Sequence, residues 1–97
     1  MELVSIKKDT DTKKKMVAVF KNKETGRTKT TRFGLDGYTD YTLSKDKEKR
    51  EKYLARHKAR ENWNDPTTAG SLSRHILWGD STSIKTNIAD FKKKFKL

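Results

Sequence analysis

The chain has 97 residues, of which 31% are hydrophobic and 38% charged, with a formal net charge of +11 and no cysteine. That length fits one domain, residues 1–97, with a small core and no room for a second, and without cysteine there are no disulfides, thiolate zinc sites or thiol nucleophiles. No apolar run approaches the roughly 20 residues of a membrane span, and the start, Met1 to Lys8, runs from apolar to charged, the reverse of a secretory leader, so an intracellular, soluble protein is expected.

The first third, residues 1–34, reads as β structure. Leu3 to Lys8 alternates weakly, with Val4 and Ile6 expected on one face. A polar turn over Asp9 to Lys13 precedes the apolar run Met16-Val17-Ala18-Val19-Phe20, which is rich in strand formers. Gly26 suits a left-handed position in the next short loop, and Arg27 to Phe33 alternates Lys and Arg with Thr. Short connections make neighbouring strands antiparallel, so a three-stranded meander is expected.

Residues 35–97 read as helical. Gly34 and Gly37 punctuate the chain, and Tyr38 to Thr42 is expected to be an irregular aromatic linker. Ser44 or Asp46 can cap a helix over 45–62, filled with strong helix formers. Asp65-Pro66 suits a cap and first turn, predicting a second helix over 66–78 with Ala69, Leu72 and Ile76 on one face and Gly79 as its stop. Ser81 or Ser83 starts the last helix, whose Ile84, Ile88, Phe91 and Phe95 form the cleanest helical stripe in the chain. The fold class is therefore α+β: an N-terminal antiparallel meander followed by three helices.

The positive charge is spread along the chain, with local balances of +6 over 1–34, +2 over 35–62 and +3 over 63–97. Such a field favours phosphate backbones, anionic membrane surfaces or acidic protein patches. On a helix over 45–62, Lys49, Lys52, Arg56 and Arg60 fall within about 80° of one another and form a row about 16 Å long. Tyr53, Leu54 and His57 gather on a different face that can dock on the body. The row can track phosphates, or it is a solvated face laced by pairs such as Glu48–Lys52. Among the strand cations, Lys7, Lys8, Lys21, Arg27, Lys29 and Arg32 can make one face or edge positive; lysines on edge strands also discourage unwanted pairing.

Tyr38, Tyr41, Trp63 and Trp78 can stack on bases. A chain this poor in apolar residues also needs its tryptophans in the core. His57 and His75, with Asn62, Asn64 and Asp65, do not have the spacing or the strand–strand–helix context of a metal-dependent nuclease, and no phosphate loop, nucleophile elbow or close carboxylate pair is present. No catalytic residue, metal ligand or cofactor is expected.

One set of local motifs carries a resemblance. Gly37-Tyr38-Thr39-Asp40-Tyr41-Thr42 is followed by Tyr53-Leu54-Ala55-Arg56-His57 and Glu61-Asn62-Trp63-Asn64-Asp65-Pro66. Thr68 to Arg74 and Leu77-Trp78-Gly79 come next, and Ala18 to Lys21 and Thr31 to Gly34 precede them. In that order they resemble a family of small uncharacterised basic proteins encoded by large DNA viruses of algae and protists. The resemblance implies a viral origin and a role in coating nucleic acid or as a minor virion component; it implies no catalytic residue. Arg56, His57, Asn62, Asp65 and Arg74 are expected to knit the helices to the sheet through an Arg–Asp or His–Asn network.

The expected function is non-enzymatic: sequence-independent nucleic-acid binding through Lys49, Lys52, Arg56, Arg60, Lys21, Lys29 and Arg32. The alternative is a minor assembly protein that docks on acidic protein surfaces.

Overall fold

Alternation in the N-terminal third translates directly into a sheet. The computed structural model describes residues 1–97, and its first elements are β1 (Glu2–Lys8), β2 (Lys14–Lys21) and β3 (Thr28–Leu35). They form an antiparallel sheet in the order β1-β2-β3, as the short connections require. Met16, Ala18 and Phe20 of β2 point to one face, where Phe33 lies opposite Met16 and Ile6 opposite Ala18. This face is the floor of the core: Phe20 and Phe33 are fully buried.

Strand β1 departs from the expected pattern. Its pairing slips between Leu3 and Ser5, which leaves Val4 as an extra residue. The bulge brings Leu3 and Ile6, rather than Val4 and Ile6, against the core, while Val4 is exposed. At the two turns the sequence chemistry acts locally. Asp9 accepts the Asp11 and Thr12 backbone N–H groups, and Gly26 takes the left-handed conformation in a loop that Asn22 braces.

The helical half has one more element than expected. Tyr38 to Thr42 is not wholly irregular: Asp40 caps a single turn, α1 (Tyr41–Ser44), by accepting the Thr42 and Leu43 N–H groups. Helix α2 (Lys47–Lys58) starts at an Asp46 cap and is mostly exposed; Arg50, Tyr53, Leu54 and His57 make its one partly buried face, and none of its residues is fully buried. It ends earlier than the composition suggests. Arg60 lies in the following turn, its N–H bonded to the His57 carbonyl, so the cationic row is not one continuous helical ridge.

The next helix also starts late. Asp65 closes a turn on Thr67 instead of capping a helix at Pro66, and Thr68 caps α3 (Ala69–Leu72). Ala69 is consequently exposed, and Leu72 and Ile76 alone carry the expected buried face. The helix continues as a π turn, Ser73–Leu77, closed by the Trp78 N–H on the Ser73 carbonyl. This wider turn, with the chain leaving the helix at Trp78, places Ile76, Leu77 and Trp78 in the core in succession.

Helix α4 (Ile84–Phe95) has its cap at Ser83. Phe91 is its buried anchor, whereas Ile84 is exposed and Asn87 takes the position next to the core. The Asn87 side chain donates to the Ile76 and Ser81 carbonyls at 2.8 and 2.7 Å and accepts the Ser81 N–H at 3.0 Å. A buried amide is tolerated there because its hydrogen-bonding groups are matched. Gly79 lets this contact close: a Cβ at that position would run into the His75 carbonyl and the Asn87 side chain. No helix is long and apolar enough to cross a membrane.

A candidate anion-binding cleft between β3 and α2

An open cleft of about 670 Å³ separates the C-terminal end of β3 from α2, with Leu77 and Trp78 among its lining residues. Its walls come from segments far apart in sequence. Lys14 and Lys15 enter from β2 and Arg32 from β3, while Lys49, Lys52 and Arg56 enter from α2. Against these six cations stand two carboxylates, Asp40 and Glu61.

Both acids already have structural tasks. Buried Asp40 caps α1 and accepts the Lys15 ammonium at 2.5 Å. Glu61 pairs with His57 Nδ1 at 3.3 Å and accepts the Trp63 indole N–H at 3.3 Å. It packs so closely on Gly70 that any Cβ there would collide with it. Arg32 is held by Asp9 at 3.3 Å, and Lys52 lies 3.5 Å from Glu48 on the same helix. Lys14, Lys49 and Arg56 have no ion-pair partner. The cleft thus has a net excess of positive charge with three cations free to meet an external anion.

Asp9 keeps its carboxyl below the usual carboxylate range, chiefly through the Thr12 hydroxyl and the Asp11 N–H, with Arg32 adding to it. It therefore stays charged and keeps Arg32 in place. On the helix side, Tyr53 is sandwiched between two rings. Trp78 is nearly parallel to it at 4.2 Å, and His57 stacks on the other side at 4.1 Å. Burial first, then the Glu61 charge, pushes the Tyr53 phenol up to about 12, so it remains neutral. Arg50, on the docking face of α2, bonds the Trp78 and Gly79 carbonyls and reaches Asp80 at 2.7 Å, which pins the helix to the core.

Four of the seven cations singled out in the sequence meet here: Lys49, Lys52, Arg56 and Arg32. Three do not. Arg60 has left the helix. Lys21 sits at the far end of β2, opposite Glu2 and Thr28. Lys29 is engaged with the Thr67 hydroxyl at 3.0 Å. The strand cations also do not make one face: pairing puts Lys7, Lys21 and Arg32 on one side and Lys8 and Lys29 on the other. Sequence reading missed Lys14 and Lys15. Their only signal was the lysine run 13–15, and its meaning depends on the pairing of Lys14 with Leu35.

The aromatic set divides. Tyr41 and Trp78 are buried, Trp63 is half-buried beneath Arg74, and Tyr38 is exposed on the cleft wall. His75 lies elsewhere, against Phe91 and Phe95, with its Nε2–H donating to the Trp63 carbonyl. No group of three His, Asp or Glu side chains is placed to hold a metal ion. Among the motif residues neither an Arg–Asp nor a His–Asn contact forms. The links are His57–Glu61 and the Asp65–Thr67 turn, whose Thr67 carbonyl accepts the Thr31 hydroxyl of β3 at 2.8 Å.

No curated protein and no solved structure matches the chain significantly. A protein-family model does match, over residues 4–57, and that segment contains the three strands from Val4 on, α1, most of α2 and all six cations of the cleft. Since the match covers more than half of the 97 residues, the protein belongs to this family, described as a family of unknown function (DUF5754).

Proposed function

We propose that the protein is a non-enzymatic nucleic-acid-binding protein that takes the phosphate backbone in the cleft between β3 and α2 without reading base sequence. The observation that supports this most is the convergence of six cations from three elements on one concave surface, with both lining carboxylates already engaged. Lys14, Lys49 and Arg56 offer unpaired donors, and Arg56 brings the planar fork that suits phosphate. The resemblance to proteins of large DNA viruses adds a viral setting to this reading, in the host cell or the virion.

Binding of labelled DNA and RNA measured across a salt series tests it. Changing Lys49, Lys52 and Arg56 to Gln should weaken binding at least tenfold near physiological salt. The salt slope should become shallower by about 2 to 3, because each phosphate that a cation no longer neutralises takes about 0.7–0.9 from it. A charge-matched variant with Lys21, Lys23 and Arg60 changed to Gln, outside the cleft, should lose much less. Equal losses in the two variants would reduce the effect to net charge and remove the cleft from it.

A second reading, docking on an acidic protein surface, is favoured by one observation: Leu35 and Tyr38 are both exposed and both line the cleft. Protein interfaces want such an apolar centre inside a charged rim. Under that reading nucleic acid and heparin bind alike, and neither survives physiological salt.

A further inference from the structure

We infer that the cleft takes an unpaired strand, DNA or RNA, with one base laid on the Tyr38 ring; this rests on the phosphate-binding reading above and specifies its ligand. The first observation is the ring itself. The chain has nine Phe, Trp and Tyr residues and a core short of apolar material, yet Tyr38 is left 68% exposed and is the one aromatic among the exposed large apolar side chains. It stands on a tight turn, its N–H on the Leu35 carbonyl at 3.2 Å, just after Gly37 in the left-handed conformation. The backbone just before it is uncrowded: a Cβ built on Gly37 would meet nothing within 4 Å.

The second observation is the shape of the charge. With Arg60 outside α2, the cations do not form the long convex row that would lie along a duplex. They surround a concavity, with Lys14 and Arg32 on the sheet side and Lys49 and Arg56 on the helix side. At about 670 Å³ the concavity has the size of a small-ligand pocket. A flexible strand can enter it. A duplex keeps its base faces stacked inside and has none to offer a protein ring. Cations for the backbone beside a free aromatic face for a base is the combination that unpaired strands require.

The test is anisotropy with labelled 12-nucleotide single strands of DNA and RNA, a 12-base-pair duplex and an abasic strand of the same length, all at one salt concentration. Wild type is compared with Tyr38→Ala and Tyr38→Trp, each first shown to melt like wild type. Single strands should bind at least tenfold tighter than duplex. Tyr38→Ala should weaken single-strand binding about 5- to 150-fold, the range of one base–aromatic stack, and leave duplex and abasic binding unchanged. Tyr38→Trp should bind single strands as wild type does, and the bound strand should quench its fluorescence more than it quenches that of wild type, whose Trp63 and Trp78 set the background. Two results overturn the inference while the phosphate reading stands: equal wild-type affinity for single strand and duplex, or an equal effect of Tyr38→Ala on the single and abasic strands. If wild type binds none of these probes, both fall.

Discussion

The side of the molecule around α4 and the side around the cleft use polar residues in opposite ways. Near α4 each polar group of the Asn87 side chain has a partner, and Gly79 removes the one atom that would keep the elements apart. Across the core, the cleft leaves Lys14, Lys49 and Arg56 without ion-pair partners and Tyr38 in solvent. A matched buried amide defines one packing arrangement. Unmatched surface cations stabilise nothing by themselves. Stability resides in the first arrangement, and a ligand has something to gain only in the second.

Substitutions should separate the two sides. The largest effect is expected at Asn87→Ala, which strands the Ile76 and Ser81 carbonyls and leaves a void. It should cost about 3 kcal/mol in chemical denaturation, with binding to nucleic acid intact in the protein that remains folded. Gly34→Ala should cost about 1–3 kcal/mol, because Gly34 has φ +75° and a Cβ there would stand 2.5 Å from Leu77 Cδ1 and against Lys15. This variant should also weaken binding, since Leu77 and Lys15 line the cleft. If it changes stability alone, the two sides are more independent than the shared residues suggest.

A pH experiment probes the α4 side by itself. Burial, aided by Arg74 and Lys94, lowers the His75 pKa from 6.5 against the opposing pull of the Trp63 carbonyl and Asp80. The folded protein therefore takes up this proton less readily than the unfolded chain. The His75 contribution to stability is full above about pH 6.5 and is lost as pH falls below it toward the depressed folded value. Melting temperatures at pH 7.5 and 5.5 should differ more for wild type than for His75→Gln. Equal differences would show that the ring is not held neutral.

The smallest effect belongs to the exposed Glu48–Lys52 pair. Glu48→Gln should change stability by no more than about 0.5 kcal/mol. It should strengthen binding at low salt, because Lys52 loses its competing carboxylate. Unchanged affinity would remove Lys52 from the site.

The meander, the Asp46 and Ser83 caps and the docking face Tyr53–Leu54–His57 were legible because each depends on residues a few positions apart. A strand period, a cap and a helical face are local properties. Local reasoning failed where a distant partner outweighed it. Val4 lost its place to Leu3 through a bulge, Pro66 was passed over in favour of the Thr68 cap, and Ile84 gave way to Asn87 because Ile76 and Ser81 offer carbonyls to an amide. The cleft was half legible. The α2 cations could be grouped by helical spacing, but their meeting with Lys14, Arg32 and Tyr38 depends on long-range packing.

Periodicity, turn residues and composition act over short range, and they set the α+β class, the order of strands before helices and the excess of positive charge. Which cations face one another and which aromatic ring stays in water depends instead on long-range packing. That choice follows from strand register and helix docking, where burial of Phe20, Phe33, Leu72 and Phe91 outweighs the preferences of the surface side chains carried along with them.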